Sequence, residues 1–185
     1  GITFLHLNME MDPSNASLQW ARGILAQHAN LPVIYTTHAF LKDTGALSPP
    51  VMLDEPAGAA NGGAAQWEKF VERNNQIFLV MNGHFGYYYP ESRLTRQNAA
   101  GNDVFLLFSN YSGLENGGDG YLRILEFDIP NNQIHVKTYS PYLDAYKTEE
   151  SSQFTLNVNF NSRLNFSPFE VGDGTAQNPY QISTR

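Results

Sequence analysis

Two histidines follow two apolar segments of similar design. His38 directly follows the β-branched run at residues 31–37, and His84 lies just beyond the apolar run at residues 77–81. Short apolar runs bounded by polar residues and glycine are typical of buried strands, so both histidines are predicted at strand ends. Because the carboxyl ends of parallel strands share one edge of a sheet, the two imidazoles are candidate ligands of one metal ion. A structural, hydrogen-bonded role for either histidine remains the alternative.

The pattern around these runs predicts alternating strands and helices. Residues 1–9 form an apolar first strand, and the capping residues at 12–15 begin a helix with an apolar stripe at helical spacing. A second helix carries Trp67, Phe70 and Val71. Two successive strand, helix, strand units favour parallel pairing, which places His38 and His84 at the same edge.

Two further regions complete the predicted domain. Residues 39–63 are rich in Pro, Gly and Ala and are interpreted as a loop over the site, with a floppy insertion as the alternative. From residue 103 onward, strands follow one another: 103–109, the hairpin of 121–129 with 133–139, and a closing strand at 153–160.

Composition limits the classes of protein to consider. The chain has 185 residues, enough for one domain with a substantial core, and its net charge of -7 argues against non-specific nucleic-acid binding. The absence of cysteine excludes disulfides and thiolate metal sites. No segment is apolar over the length needed to span a bilayer. Since the chain opens within a strand, we expect a piece of a longer protein, with residues 161–185 as a linker or the start of a following module.

Taken together, these segments resemble the second half of a calcineurin-like metallophosphoesterase, over about residues 1 to 160. The matching segments are Thr37-His38, the helix with Trp67, Gly83-His84, Gly101-Asn102-Asp103, and residues 116–123 and 138–141. The last two are similar to a subgroup found in large secreted bacterial proteins. The resemblance implies an α/β fold: an αββα double-sheet sandwich, present here as its second half with a carboxyl-terminal antiparallel portion. It also implies an extracellular, periplasmic or cell-surface location.

The same resemblance implies hydrolysis of a phosphate ester by a metal-bound hydroxide. His38 and His84 would ligate one or two divalent transition metal ions, of which Zn, Fe, Mn and Ni suit imidazole. The family motif is Gly-His-x-His, but Gly86 stands where the second histidine is expected, which removes a ligand of the first metal.

The carboxylates and the catalytic residues of the family's first half are not found in this chain. They are expected upstream of Gly1 or in a complementary chain. The competing hypothesis is a non-catalytic binding or structural module of a larger surface or assembly protein, and an unrelated binding sandwich is a third.

Several other polar residues are predicted near the histidine edge. Glu10 and Asp12 follow the first strand, where Glu10 could support the metal ligands and Asp12 is better explained as a helix cap. Asn82 could orient His84.

An aromatic and basic segment follows His84. Tyr87 begins a run of three tyrosines that could form a stacking wall for a substrate. Arg93 and Arg96 are candidates to contact its phosphate. A surface turn whose aromatic rings pack on the sheet explains the same residues equally well.

Overall fold

The protein is described from a computed structural model covering residues 2–52, 59–86 and 88–163. The predicted linker at residues 161–185 lies outside the described residues, except for the short 3-10 helix Asn161–Arg163. Tyr87 also lies outside them. Among the described residues, no helix is both long enough and apolar enough to cross a membrane.

A five-stranded sheet carries the predicted histidine edge. Its strands are β1 (Leu5–Asn8), β2 (Val33–Thr36), β3 (Ile77–Asn82), β4 (Glu91–Gln97) and β5 (Asp103–Ser109). They lie in the order β1-β2-β3-β5-β4. β1, β2, β3 and β5 are mutually parallel, whereas β4 runs antiparallel to β5. The predicted parallel arrangement of the two strands that precede the histidines is confirmed.

One face of this sheet is covered by helices. The first is α1 (Asn15–Gln27), whose first turn is capped by the Ser14 side chain, which accepts a hydrogen bond from the Ser17 amide. The second is α2 (Gly63–Gln66), which continues into a π-helical turn at Trp67–Val71. The apolar stripe predicted for α1 is confirmed, because its buried residues are Leu18, Ala21 and Leu25.

A smaller antiparallel sheet covers the other face. It consists of β6 (Leu122–Asp128), β7 (Gln133–Ser140), β8 (Ala145–Lys147) and β9 (Phe154–Asn157). β7 pairs with all three of the others. The predicted hairpin of β6 and β7 is confirmed, whereas the sequence patterns did not predict β4 or β8.

The two sheets pack face to face through a shared apolar core. The core residues from the two sides include Phe78, Phe105, Leu107, Ile134, Leu156 and Phe160. A separate core between the larger sheet and the helices includes Leu18, Tyr35, Trp67, Phe70 and Phe108. The described part of the chain is therefore a mixed α/β sandwich of two sheets with a helical layer, as the predicted fold class requires at this coarse level.

The segment after His38 is packed rather than floppy. Phe40 and Leu41 have no exposed side-chain surface, and an isolated antiparallel bridge joins Leu41 to Leu47. Within the predicted loop at residues 39–63, residues 53–58 lie outside the described part. The floppy interpretation is thus wrong for residues 39–52, because apolar side chains there fill the helical side of the core.

Candidate metal site

The two predicted histidines meet at the carboxyl edge of the parallel strands. His38 lies two residues after β2 and His84 two residues after β3, and these strands are neighbours. The His84 Nδ1 and His38 Nε2 atoms are 2.9 Å apart, and the ring centroids are 4.9 Å apart. Both residues are exposed to solvent. The sequence prediction that β2 and β3 bring these two imidazoles together is confirmed.

The separation of the two nitrogens fits coordination of one ion. With metal–nitrogen bonds of about 2.0–2.1 Å, two ligands at a right angle are roughly 2.9 Å apart, and two at the tetrahedral angle about 3.3 Å. The observed 2.9 Å lies at the right-angle value. A direct hydrogen bond fits the same distance when one of the two nitrogens carries a proton. Both arrangements require the two rings to converge as they do here.

Backbone hydrogen bonds hold the histidines in register. The Gly83 amide donates to the His38 carbonyl at 3.2 Å, so the segments beyond the two strands stay paired. His84 has a positive φ of 71°, an uncommon conformation for a residue with a side chain. Asn110, just past β5, donates from its side-chain amide to the carbonyls of His84 at 3.2 Å and Phe85 at 2.7 Å. Asn110 is a positioning residue that the sequence interpretation missed.

Gly86 has a backbone conformation that disfavours a histidine at this position of the turn. Its φ is +149°, a region that L side chains rarely adopt. A Cβ placed there would lie 3.1 Å from the Asn110 Nδ2 atom, the same atom that holds the turn. Both the positive φ and the close approach of Asn110 favour glycine at this position over a residue with a side chain.

The hydrogen bonds of the Asn82 side chain go to the backbone of Leu41 and Gly83 rather than to the His84 ring. Its Oδ1 accepts from the Leu41 amide at 3.0 Å, and its Nδ2 donates to the Leu41 carbonyl at 2.8 Å and the Gly83 carbonyl at 3.0 Å. Asn82 therefore holds the backbone at Leu41, beyond His38, and at Gly83, next to His84.

The two acidic candidates lie near the edge in different roles. The Glu10 carbonyl accepts from the Thr37 hydroxyl at 2.8 Å, which places Glu10 beside His38, but its carboxylate accepts from Ser17 on α1 at 2.5 Å. The helix-cap interpretation of Asp12 is wrong, because Ser14 is the cap. The buried Asp12 carboxylate instead accepts from the backbone amides of residues 51 and 52.

The two arginine candidates lie on opposite faces of β4. Arg93 forms an ion pair of 2.9 Å with Glu150 and covers the Phe154 ring of the smaller sheet. Arg96 covers the Trp67 ring in the helical layer, with 4.5 Å from guanidinium carbon to centroid. In the β4–β5 register, Arg96 pairs with Val104. Val104 lies about 13 Å along β5 from the residue that pairs with the last residue of β3. The structure therefore does not bring these arginines together.

The tyrosine run lies beside the histidine turn. The Tyr88 amide donates to the Asp43 carboxylate at 2.9 Å, which ties this run to the segment after His38. Tyr88 and Tyr89 are 78% and 60% exposed. Large exposed rings next to the histidines are available for stacking, and the stacking wall stays a prediction.

No third protein ligand joins the pair in the described part of the chain. Residues 2–52, 59–86 and 88–163 contain no group of three or more His, Asp or Glu side chains arranged to hold a metal ion. Two imidazoles without a carboxylate form a weak, incomplete site. The histidine pair needs at least one further ligand from outside these residues to bind a transition metal tightly.

A buried ion pair links the two sheets near the site. The Glu91 carboxylate on β4 lies 2.6 Å from the Arg123 guanidinium on β6, and it accepts hydrogen bonds from the hydroxyls of Tyr111, Thr138 and Ser152. Burial opposes ionisation of Glu91, but Arg123 and the hydroxyl donors outweigh it and hold its pKa below the usual range. The sequence interpretation missed this network because no local pattern marks it.

Comparisons with known proteins add one relative of unstated activity. No family model matches the chain, and no solved structure matches it. The chain is 27% identical over 176 residues to the uncharacterized protein YvnB of Bacillus subtilis (strain 168). The match covers 89% of this chain and 12% of that protein, so the chain spans about an eighth of its relative's length. The chain is thus similar to a short stretch of a much longer bacterial protein.

Proposed function

We propose that this chain is the histidine-bearing part of a metal-dependent phosphoric ester hydrolase. The observation that carries the proposal is the convergence of the His38 and His84 nitrogens to 2.9 Å, at an exposed edge formed by the ends of parallel strands. In layered α/β proteins, that edge is where ligands collect. The mixed two-sheet sandwich is compatible with the αββα metallophosphoesterase architecture.

The residues present fit part of a metal centre. Exposed imidazoles suit Zn, Fe, Mn or Ni, and the Gly83 amide and the Asn110 side chain hold the backbone at both histidines. Such an ion, when bound, would polarise a phosphoryl oxygen and lower the pKa of a coordinated water. The remaining carboxylate ligands would come from another part of a longer protein, in keeping with the small share of the relative that this chain covers.

The neighbouring residues suit an ester substrate. Tyr88 and Tyr89 offer exposed rings beside His84 for the group attached to the phosphate. Asp43, which accepts from the Tyr88 amide, would hold these rings in place during binding.

One observation favours the competing function, a non-catalytic phosphoesterase-like binding or structural module. The Gly86 backbone conformation and the closeness of Asn110 disfavour the second histidine of the Gly-His-x-His motif. A module that lacks this ligand of the first ion would keep the fold and bind a metal ion or a phosphate group, but it would not catalyse hydrolysis.

Hydrolysis of bis(p-nitrophenyl) phosphate by the protein at its full natural length separates the two functions. We expect metal-dependent turnover that is lost in the His38→Ala and His84→Ala variants and retained in His135→Ala. His135 is a matched control because it lies on β7 and contacts Thr155 there. Unchanged turnover in the first two variants would contradict the assignment, and metal binding without turnover would establish the non-catalytic module.

A further inference from the structure

A second cavity opens between the two sheets, on the side of the molecule where β4 lies. It has a volume of about 500 Å³, within the range of small-ligand sites. Residues of β4 and β5 line it from the larger sheet and residues of β9 from the smaller one. We call this cavity the side slot, and its lining residues include Arg93, Thr95, Asp103, Phe105, Thr155 and Leu156.

Opposite charges stand at the two ends of the side slot. In the β4–β5 register, Arg93 pairs with Leu107, which lies four residues along β5 from Asp103. At about 3.3 Å per residue, the two charged positions are therefore roughly 13 Å apart along the strands. The Arg93 guanidinium lies over the Phe154 ring, 4.2 Å from its centroid, and Asp103 is exposed. The slot thus presents a cation at one end and a carboxylate at the other.

Both charged groups have partners that leave them open to a ligand. Arg93 pairs with Glu150 at 2.9 Å, but the Glu150 side chain is 91% exposed, so water screens the pair and a ligand displaces it at little cost. At the other end, Arg163 donates to the Asp103 carbonyl, and the charges of the two residues attract each other. Because Arg163 is buried and Asp103 is exposed, a ligand reaches the Asp103 carboxylate from the solvent side.

The walls between the two ends suit a peptide backbone. Phe105 and Leu156 belong to the core between the sheets and give the slot an apolar lining. In the described part of the chain, β4 pairs only with β5, and β9 pairs only with β7. Strand edges without a partner present backbone N–H and C=O groups with which an extended peptide forms hydrogen bonds.

We propose that the side slot binds a short extended peptide of about four residues, with both termini free. Its terminal carboxylate pairs with the Arg93 guanidinium and its terminal ammonium with the Asp103 carboxylate. An extended chain of four residues spans at most roughly 13–14 Å, which matches the separation of the two charged positions. Small apolar side chains of the peptide contact Phe105 and Leu156.

The side slot is separate from the histidine pair. It is lined by β4, β5 and β9, whereas His38 and His84 lie beyond the ends of β2 and β3. Peptide binding in the slot needs neither a metal ion nor a histidine, so it stands or fails independently of the proposed hydrolase.

Calorimetric titration of the protein at its full natural length with tetra-alanine tests the proposal, at low ionic strength and pH 7. We expect saturable binding, with affinity falling roughly fivefold in Arg93→Gln and in Asp103→Asn, each of which removes one charge. Arg96→Gln is the matched control, because Arg96 lies on the other face of β4 over the Trp67 ring. It should leave the affinity unchanged. Circular dichroism melts confirm folding, and Asp103→Asn keeps the test valid if Arg93→Gln unfolds.

Blocked and shortened peptides assign each end of the ligand. Amidation of the terminal carboxylate should weaken binding to wild type roughly fivefold and have no further effect in Arg93→Gln. Acetylation of the amino terminus should behave in the same way with Asp103→Asn. Dialanine, which is too short to reach both ends, should bind more weakly than tetra-alanine. The proposal is overturned by absence of saturable binding, by undiminished affinity in a folded Arg93→Gln or Asp103→Asn variant, or by a blocked or shortened peptide that binds as well as tetra-alanine.

Discussion

Replacing Glu91 with Gln removes one charge from the ion pair that joins β4 to the smaller sheet. The Glu91 side chain is 1% exposed and the Arg123 side chain 7%, with 2.6 Å between the paired atoms. Water therefore screens the pair very little, and the substitution leaves a buried guanidinium without its counter-charge. Breaking a buried pair by removing one partner costs about 3–5 kcal/mol. For a domain of this size the melting temperature should fall by roughly 6–20 °C.

Urea unfolding followed by circular dichroism measures this cost, with Glu126→Gln as the matched control. Glu126 is 62% exposed and lies 3.2 Å from Lys137 on the same sheet, so its loss should cost about 0–1 kcal/mol. The double variant Glu91→Gln/Arg123→Met should recover part of the loss, because no unpaired charge is then buried. The reasoning is refuted if Glu91→Gln costs no more than Glu126→Gln, or if the double variant is less stable than Glu91→Gln.

Two further predictions concern the same region. The pKa of Glu91 is lowered from 4.5 in the folded state, so its contribution to stability is full above pH 4.5 and is lost as pH falls through the folded pKa. The stability difference between wild type and Glu91→Gln should therefore shrink between pH 5 and pH 3 in urea titrations, and a constant difference would contradict this. Gly86→Ala should cost about 1–3 kcal/mol, because it forces a side chain into a positive-φ turn against Asn110. Its control, Gly23→Ala in α1, has open space and should gain stability in the same assay.

The elements that carry the histidines could be predicted because their sequences agree with their environment. The run at residues 77–81 is apolar throughout since β3 is covered on both faces, by helices on one side and the smaller sheet on the other. The positions of His38 and His84 then follow from a general property of parallel strands. The two apolar runs and the shared carboxyl edge of parallel strands were sufficient to predict where the two histidines lie.

The missed elements have no such local pattern. β4 contains a single large apolar residue, Leu94, because it is an edge strand whose neighbouring side chains are mostly exposed. The one fully buried charge on β4 is that of Glu91. Its burial is possible because Arg123 and hydroxyl groups 20 or more residues away in sequence pair with it. Asn110 reaches carbonyls 25 and 26 residues away. Tertiary contacts of this kind hold the site in place. Because they join residues far apart in sequence, the periodicity of the sequence does not predict them.

The metal content of the protein, purified natively at its full natural length, tests the central claim most directly. Elemental analysis should find at least one equivalent of Zn, Fe, Mn or Ni in wild type, and almost none in the His38→Ala/His84→Ala double variant. The His135→Ala control should keep the wild-type content, because His135 lies on β7 in contact with Thr155. A wild-type protein without transition metal, or a double variant with its metal content unchanged, would contradict the assignment of His38 and His84 as metal ligands.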